Sequence, residues 1–280
     1  MNKLLAIFEL MRLNKPIGIY LLLWPALLAL VISTNGDFMY SHLLIIIIGS
    51  ILVRSAGCVI NDIWDKDLDG GVKRTKTRPI PSKKLSISES WAVFVALSAL
   101  SLVLLSLTNT NTIFISICFG FMIVLYPLTK RFFIGPQIFL GLTFNPTIIV
   151  YAMTNELNNP TMIFLYLAVA AKTIAFDSFY GLCDIEDDKK LGIHSTPLWW
   201  GSKTLLIIAI LQFAVISFLM VVGFKAELSS AWYIGIILLS GFYFYQHRLA
   251  SQKNFLLAFK NNHWASLYLL FLSVFCFLII

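Results

Sequence analysis

Leu43-Leu44-Ile45-Ile46-Ile47-Ile48-Gly49-Ser50-Ile51-Leu52-Val53-Arg54-Ser55-Ala56-Gly57-Cys58-Val59-Ile60 runs directly into Asn61-Asp62-Ile63-Trp64-Asp65-Lys66-Asp67-Leu68-Asp69. The first part is long enough to cross a bilayer as a helix, which needs about 20 mostly apolar residues. The second is one of the most acidic stretches in the chain. A carboxylate at a membrane boundary is costly unless it is hydrated, paired or metal-bound, so acids in that place point to function. A second cluster has the same setting: Asp177-Ser178-Phe179-Tyr180, then Asp184 and Asp188, at the end of another apolar run.

Outward from these stretches, the whole chain reads as membrane protein. It is 59% hydrophobic and 12% charged, against roughly 25% charged in soluble domains. Nine apolar runs fall at about 16–33, 40–60, 91–108, 111–128, 133–153, 161–182, 203–223, 229–246 and 263–280. They predict an all-α polytopic bundle, one domain over 1–280, with nine transmembrane helices. With the N-terminus in the cytoplasm, 18 of the 21 Lys and Arg residues fall on the inner side. Lys225 alone lies outside, and Arg54 and Lys172 fall within spans. That bias is the positive-inside rule, so the net charge of +7 reads as topology and not as nucleic-acid binding. The two longest inner connections, about 61–90 and 183–202, hold the acidic clusters. Cys58, Cys118, Cys183 and Cys276 form no CxxC pair and read as small apolar residues.

Asn61, Asp65 and Asp69 are spaced four apart, which places them on one face if the helix continues through them. Asp177, Tyr180, Asp184 and Asp188 make a similar stripe. Oxygen donors without His or Cys favour Mg²⁺ or Mn²⁺ over zinc. Lys73, Arg74, Arg78, Lys189 and Lys190 flank the acids, and acids that hold metal beside bases that hold oxyanions suit a Mg²⁺–diphosphate site. Asp67, Glu186 and Asp187 lie off the stripes and read as solvated charges. Arg54 is seven residues before Asn61, on the same face and ~10 Å deeper. Its guanidinium needs a partner there, either a substrate carboxylate or a group of the protein. Tyr126 and Tyr180 are aromatic faces that a cation or an aromatic substrate could meet. Lys172, off the Asp stripe, reads as structural.

The stretch from Arg54 to Asp62, continuing to Asp65, Asp69, Arg74-Thr75 and Arg78-Pro79, resembles the first signature of UbiA-type membrane prenyltransferases. Asp177, Tyr180, Asp184 and Asp188, followed by Lys190, Gly192 and Ser195-Thr196, resemble the second. Lys15-Pro16-Ile17-Gly18, Leu22-Leu23-Trp24-Pro25, Tyr126-Pro127, Lys130-Arg131, Pro136-Gln137 and Gly141 are similar to the 4-hydroxybenzoate polyprenyltransferase branch. His194, Asn14 and Asn145 stand where that pattern usually has Lys, Asp and Ser; none of these changes removes a metal ligand.

The resemblance implies that Asn61, Asp65, Asp69, Asp184 and Asp188 hold Mg²⁺. Lys73, Arg74, Arg78, Lys130, Arg131 and Lys190 would bind the diphosphate of a polyprenyl donor. Arg54 would hold the carboxylate of 4-hydroxybenzoate, with Tyr126 and Tyr180 beside the aromatic substrate, and Asp177 or Asp62 would take the ring proton. The charge bias places the site on the cytoplasmic side and the lack of an Arg- and Ser-rich presequence points to a bacterial cytoplasmic membrane, while the resemblance implies a place in ubiquinone biosynthesis. Other acceptors (a naphthoate, homogentisate or haem) remain open within the family. An ion-coupled transporter is the reading from another class; it expects charges and broken helices near the bilayer midplane.

Overall fold

The computed structural model describes residues 3–71 and 74–279. These form twelve α-helices and two short 3-10 turns, and no strand occurs among them. The helices are α1 (Lys3–Leu10), α2 (Ile17–Ser33), α3 (Tyr40–Trp64), α4 (Ile87–Leu105), α5 (Thr110–Thr129) and α6 (Pro136–Thr143). They continue with α7 (Thr147–Met153), α8 (Thr161–Leu191), α9 (Thr196–Trp200), α10 (Thr204–Lys225), α11 (Ser230–Ser251) and α12 (Phe255–Leu278). Six described helical stretches are long and apolar enough to cross a membrane: α3, α4, α5, α8, the run Thr196–Lys225, and α12. The shorter α2 is apolar over 17 residues. An all-helical polytopic bundle is thus what the apolar runs build.

Three boundaries differ from the sequence reading. The run at 133–153 is not one continuous helix. It breaks into α6 and α7 around Phe144-Asn145-Pro146, because Pro146 lacks an N–H and biases the residue before it away from the helical region. Asn145 repairs the break: its Nδ2 donates to the Tyr166 carbonyl at 2.8 Å, and its Oδ1 accepts from the Thr147 N–H at 3.2 Å. Irregular backbone at membrane depth persists only when satisfied in this way. Second, α8 stays helical to Leu191, where Gly192 takes a left-handed conformation (φ 65°) and ends it; the second acidic cluster is therefore on a helix and not in a loop. Third, α3 stops at Trp64, so Asp65 caps it and Asp69 falls in a 3-10 turn.

Packing centres on α8, which contacts α10, α12 and α6, while α12 also packs on α2 and α11, and α3 on α4. Lipid tails are as apolar as leucine, so helices associate through close fit and small residues. Gly141 lets α6 approach α8: a Cβ there would lie 2.9 Å from the Ala170 carbonyl and 2.5 Å from Ile174 Cγ1. The faces of α4 and α5 that carry Leu100, Val103, Phe114 and Phe121 are exposed, as bilayer-facing surfaces should be. At one end of the bundle the C-terminal ends of α3, α5 and α8 meet. Each is the negative end of a helix dipole, so carboxylates placed there need cations nearby.

Candidate active site

The end of α3 curls so that the four-residue spacing survives without the helix. The Asp65 N–H donates to the Asn61 carbonyl at 2.9 Å, and the Asp69 N–H to the Asp65 carbonyl at 2.8 Å. Asn61 Nδ2 donates to Asp65 Oδ2 at 3.1 Å. Thr75 Oγ1 donates to the Asp69 carbonyl at 2.8 Å, folding the following segment back. Asp65 is almost completely buried. Lys130, which caps α5, ion-pairs with its Oδ2, and its Oδ1 is buried with no hydrogen-bond partner. Burial pushes the Asp65 carboxyl up, against the pull of Lys130.

Along α8, Asp177, Tyr180, Asp184 and Asp188 follow at three, four and four residues and share one face. Arg74 reaches across from the segment after α3. Its Nε donates to Asp184 Oδ1 at 2.9 Å, its second arm binds Asp184 Oδ2, and its guanidinium lies 4.5 Å from the centre of the Tyr180 ring. Lys130 also lies within electrostatic reach of Asp188. Arg78 donates to Asp62 Oδ1 at 3.0 Å and to Asp69 Oδ2 at 2.7 Å. Burial alone would lower the Arg78 pKa, but the two carboxylates hold it above its ordinary value.

The two clusters are therefore brought together with cations between them. For that reason no three His, Cys, Asp or Glu side chains gather into a ligand group among the described residues. The donor set nevertheless fits a hard divalent ion. All the oxygens belong to carboxylates and one amide, Asp65 Oδ1 lacks any partner, and the positive charge the acids require is supplied by Lys and Arg side chains.

Arg54 sits deeper on α3. Its guanidinium lies 5.2 Å from the centre of the Phe144 ring and packs on the backbone of Gly18. Its Nε is buried without a hydrogen-bond partner, leaving an N–H aimed at something the protein does not provide. Asp177 and Tyr126 lie within its electrostatic reach. An anionic group would satisfy this N–H, with the Phe144 ring beside it.

Asp62 is held between two arginines. It is 1% exposed, and Arg12 Nη2 donates to both its oxygens at 2.8 Å while Arg78 occupies Oδ1 as well. Both Asp62 oxygens are thus engaged by cations, whereas Asp177 is half-buried on α8 within electrostatic reach of Arg54. Arg131 is exposed and donates to the Trp64 carbonyl at 2.6 Å; Lys190 is exposed beyond the stripe. Lys73 lies outside the described residues. The His194 side chain is exposed, while its backbone N–H donates to the Lys130 carbonyl at 2.9 Å. Lys172 is buried on Ser266 of α12, away from the acids. The residues that the sequence reading did not assign to the site are Arg12, Gly18 and Phe144. Gly18 closes the motif Lys15-Pro16-Ile17-Gly18, which was the available signal; Arg12 and Phe144 had none.

Residues 22–275 match the model of the UbiA prenyltransferase family. The chain is 40% identical over 265 residues to a 4-hydroxybenzoate octaprenyltransferase of Pseudomonas aeruginosa, covering 92% of this chain and 89% of that one. It is 38% identical over 281 residues to the enzyme of the same name from Francisella tularensis subsp. novicida, covering 98% and 99%. Its fold is similar to that of a UbiA homolog from Aeropyrum pernix (TM-score 0.78, 22% identity, 90% and 94% covered). A UbiA homolog from Archaeoglobus fulgidus, solved with GPP and Mg²⁺, is also similar (TM-score 0.75, 17% identity, 98% and 100% covered). With six described helical stretches long and apolar enough to cross a membrane and acidic clusters at the ends of α3 and α8, this chain is an integral membrane protein that belongs to the UbiA prenyltransferase family.

Proposed function

We propose that the chain transfers a polyprenyl group from polyprenyl diphosphate to the ring carbon ortho to the hydroxyl of 4-hydroxybenzoate. The product is 3-polyprenyl-4-hydroxybenzoate, an intermediate of ubiquinone biosynthesis. The observation that carries this reading is the pairing of two features: a junction of acids and bases at the ends of α3, α5 and α8, and, deeper on α3, Arg54, whose buried Nε has no partner and whose guanidinium lies over the Phe144 ring. The names of the enzymes similar to it support the same acceptor.

In this mechanism Asn61, Asp65, Asp69, Asp184 and Asp188 hold Mg²⁺. Bound Mg²⁺ supplies Lewis-acid charge that stabilises the departing diphosphate. Lys73, Arg74, Arg78, Lys130, Arg131 and Lys190 bind the non-bridging oxygens; Arg74, Arg78 and Lys130 leave their carboxylate partners to do so. The allylic C–O bond breaks with its electron pair going to the diphosphate. Tyr126 and Tyr180 turn ring faces toward the resulting allylic cation. Arg54 orients the acceptor by its carboxylate, so that the carbon ortho to the hydroxyl faces the cation and a ring π pair forms the new C–C bond. Asp177 then takes the proton from that carbon. The apolar chain of the donor lies between helices, open sideways to lipid.

The chain is read as one domain over 1–280 with nine spans and a cytoplasmic N-terminus, in a bacterial cytoplasmic membrane. Its site would be on the cytoplasmic side, where the basic residues concentrate. The transporter reading gains nothing from the α6–α7 break, since residues 143–147 carry no charge and the Asn145 amide is satisfied by backbone. Membranes carrying the protein, supplied with 4-hydroxybenzoate, a polyprenyl diphosphate and Mg²⁺, should yield the prenylated acid by mass spectrometry, and none with EDTA. Turnover of a naphthoate, homogentisate or haem in its place would move the acceptor assignment within the family.

A further inference from the structure

We propose that Arg12 is a positioning residue for donor binding: by clamping Asp62 it leaves Arg78 free to move onto the diphosphate. Arg12 Nη2 contacts both oxygens of Asp62 at 2.8 Å. Asp62 is 1% exposed, so its charge must be balanced by protein. Its other counter-charge is Arg78, at 3.0 Å, and Arg78 in turn reaches Asp69 at 2.7 Å. The four side chains form a row, Arg12–Asp62–Arg78–Asp69, running from the N-terminal segment to a candidate metal ligand. When Asp69 takes a cation, Arg78 is released on that side. Whether it is released on the other depends on Asp62. With Arg12 in place Asp62 remains balanced; without Arg12 a buried carboxylate holds Arg78 as its sole partner and withdraws it from the phosphate.

The backbone supports a specific role for this side chain. Arg12 has φ 59°, a left-handed conformation that glycine adopts at no steric cost, yet an arginine stands there. Nor is it required to dock α1. That helix is held by Lys3–Glu89 at 2.5 Å and Glu9–Lys84 at 3.0 Å, and by buried Ala6 and Leu10 packed with Ile63 and Leu85. Loss of the clamp can therefore be separated from loss of the helix.

The inference rests on the reading of the site as one for a Mg²⁺–diphosphate, and the test keeps the two apart. Geranyl S-thiolodiphosphate, a donor that does not ionise readily, is titrated with Mg²⁺ into the detergent-purified full chain, and binding is followed calorimetrically. Absence of binding to the native chain would overturn the site reading and this inference with it. If the native chain binds, Arg12→Ala should bind roughly 10- to 100-fold more weakly, the worth of about one charge-assisted hydrogen bond, with the KM for 4-hydroxybenzoate unchanged. Arg12→Lys, which keeps the charge but not the two-pronged contact, should fall between. In an Asp62→Asn background the same Arg12→Ala change should have no effect on donor binding, because there is no longer a buried charge to compete for Arg78. Lys84→Ala, which loosens α1 elsewhere, should bind the donor as the native chain does. Equal weakening in Lys84→Ala, an undiminished Arg12 effect in the Asp62→Asn background, or native affinity in Arg12→Ala would each overturn the proposal.

Discussion

Gly18 and Arg54 are in contact through the absence of a side chain: a Cβ on Gly18 would lie 2.4 Å from Arg54 Nε and 2.8 Å from Nη2. The flat guanidinium is held between the backbone of α2 and the ring of Phe144. Gly18→Ala should displace it and raise the KM for 4-hydroxybenzoate by about tenfold, and Arg54→Ala by ~10- to 100-fold, the range for a hydrogen bond to a charged group. Steady-state kinetics with both substrates varied checks this. The donor KM should stay near the native value in both variants, because neither residue contacts the basic cluster.

Asp65 combines near-complete burial, an unpartnered oxygen and one cation, Lys130. Asp65→Asn removes the charge and keeps the shape. It should raise the Mg²⁺ concentration for half-maximal rate and lower kcat by roughly 100-fold or more, as loss of a ligand around a metal does. Titration of membranes with Mg²⁺ after EDTA stripping measures both effects.

Asp177 and Asp62 separate cleanly by substitution. Asp177→Asn should lose about 10²–10⁴ in rate, the usual contribution of a general base, whereas Asp62→Asn should lose far less because its oxygens are already taken by Arg12 and Arg78. A large loss in Asp62→Asn together with a small one in Asp177→Asn would reverse the assignment.

The helix contact at Gly141 gives a stability test. Gly141→Ala places a methyl 2.9 Å from a backbone carbonyl of α8, whereas Gly120 on α5 has nothing within 4 Å of such a methyl. Gly141→Ala should destabilise by about 1–3 kcal/mol, seen as a lower Tm in detergent. Gly120→Ala should leave the Tm unchanged.

Much of this molecule was legible in the order of its residues, and the exceptions have physical causes. The apolar runs marked the helices because a bilayer sets their length. The spacing from Asn61 to Asp69 set these side chains at one helix end, although through a capped turn and not through the continuous helix that the spacing suggests. The break inside 133–153 was harder to see, since a run can remain apolar while Pro146 and Asn145 interrupt its backbone. The extension of α8 to Leu191 was hidden by charged residues that resemble a loop but lie on a helix leaving the membrane. Arg12 was counted only as a topology charge, and nothing local distinguished it, because its partner Asp62 lies 50 positions away. The empty space at Gly18 could not be read from sequence at all: it depends on where Arg54 lands.

The most direct measurement supplies 4-hydroxybenzoate deuterated at both positions ortho to the hydroxyl, with polyprenyl diphosphate and Mg²⁺, and counts deuterium in the product by mass spectrometry. The mechanism predicts a prenylated acid that has lost one deuterium and kept the other, formed by the native protein and not by Asp65→Asn. A product retaining both deuteriums, or no product from protein shown to be folded, would contradict it.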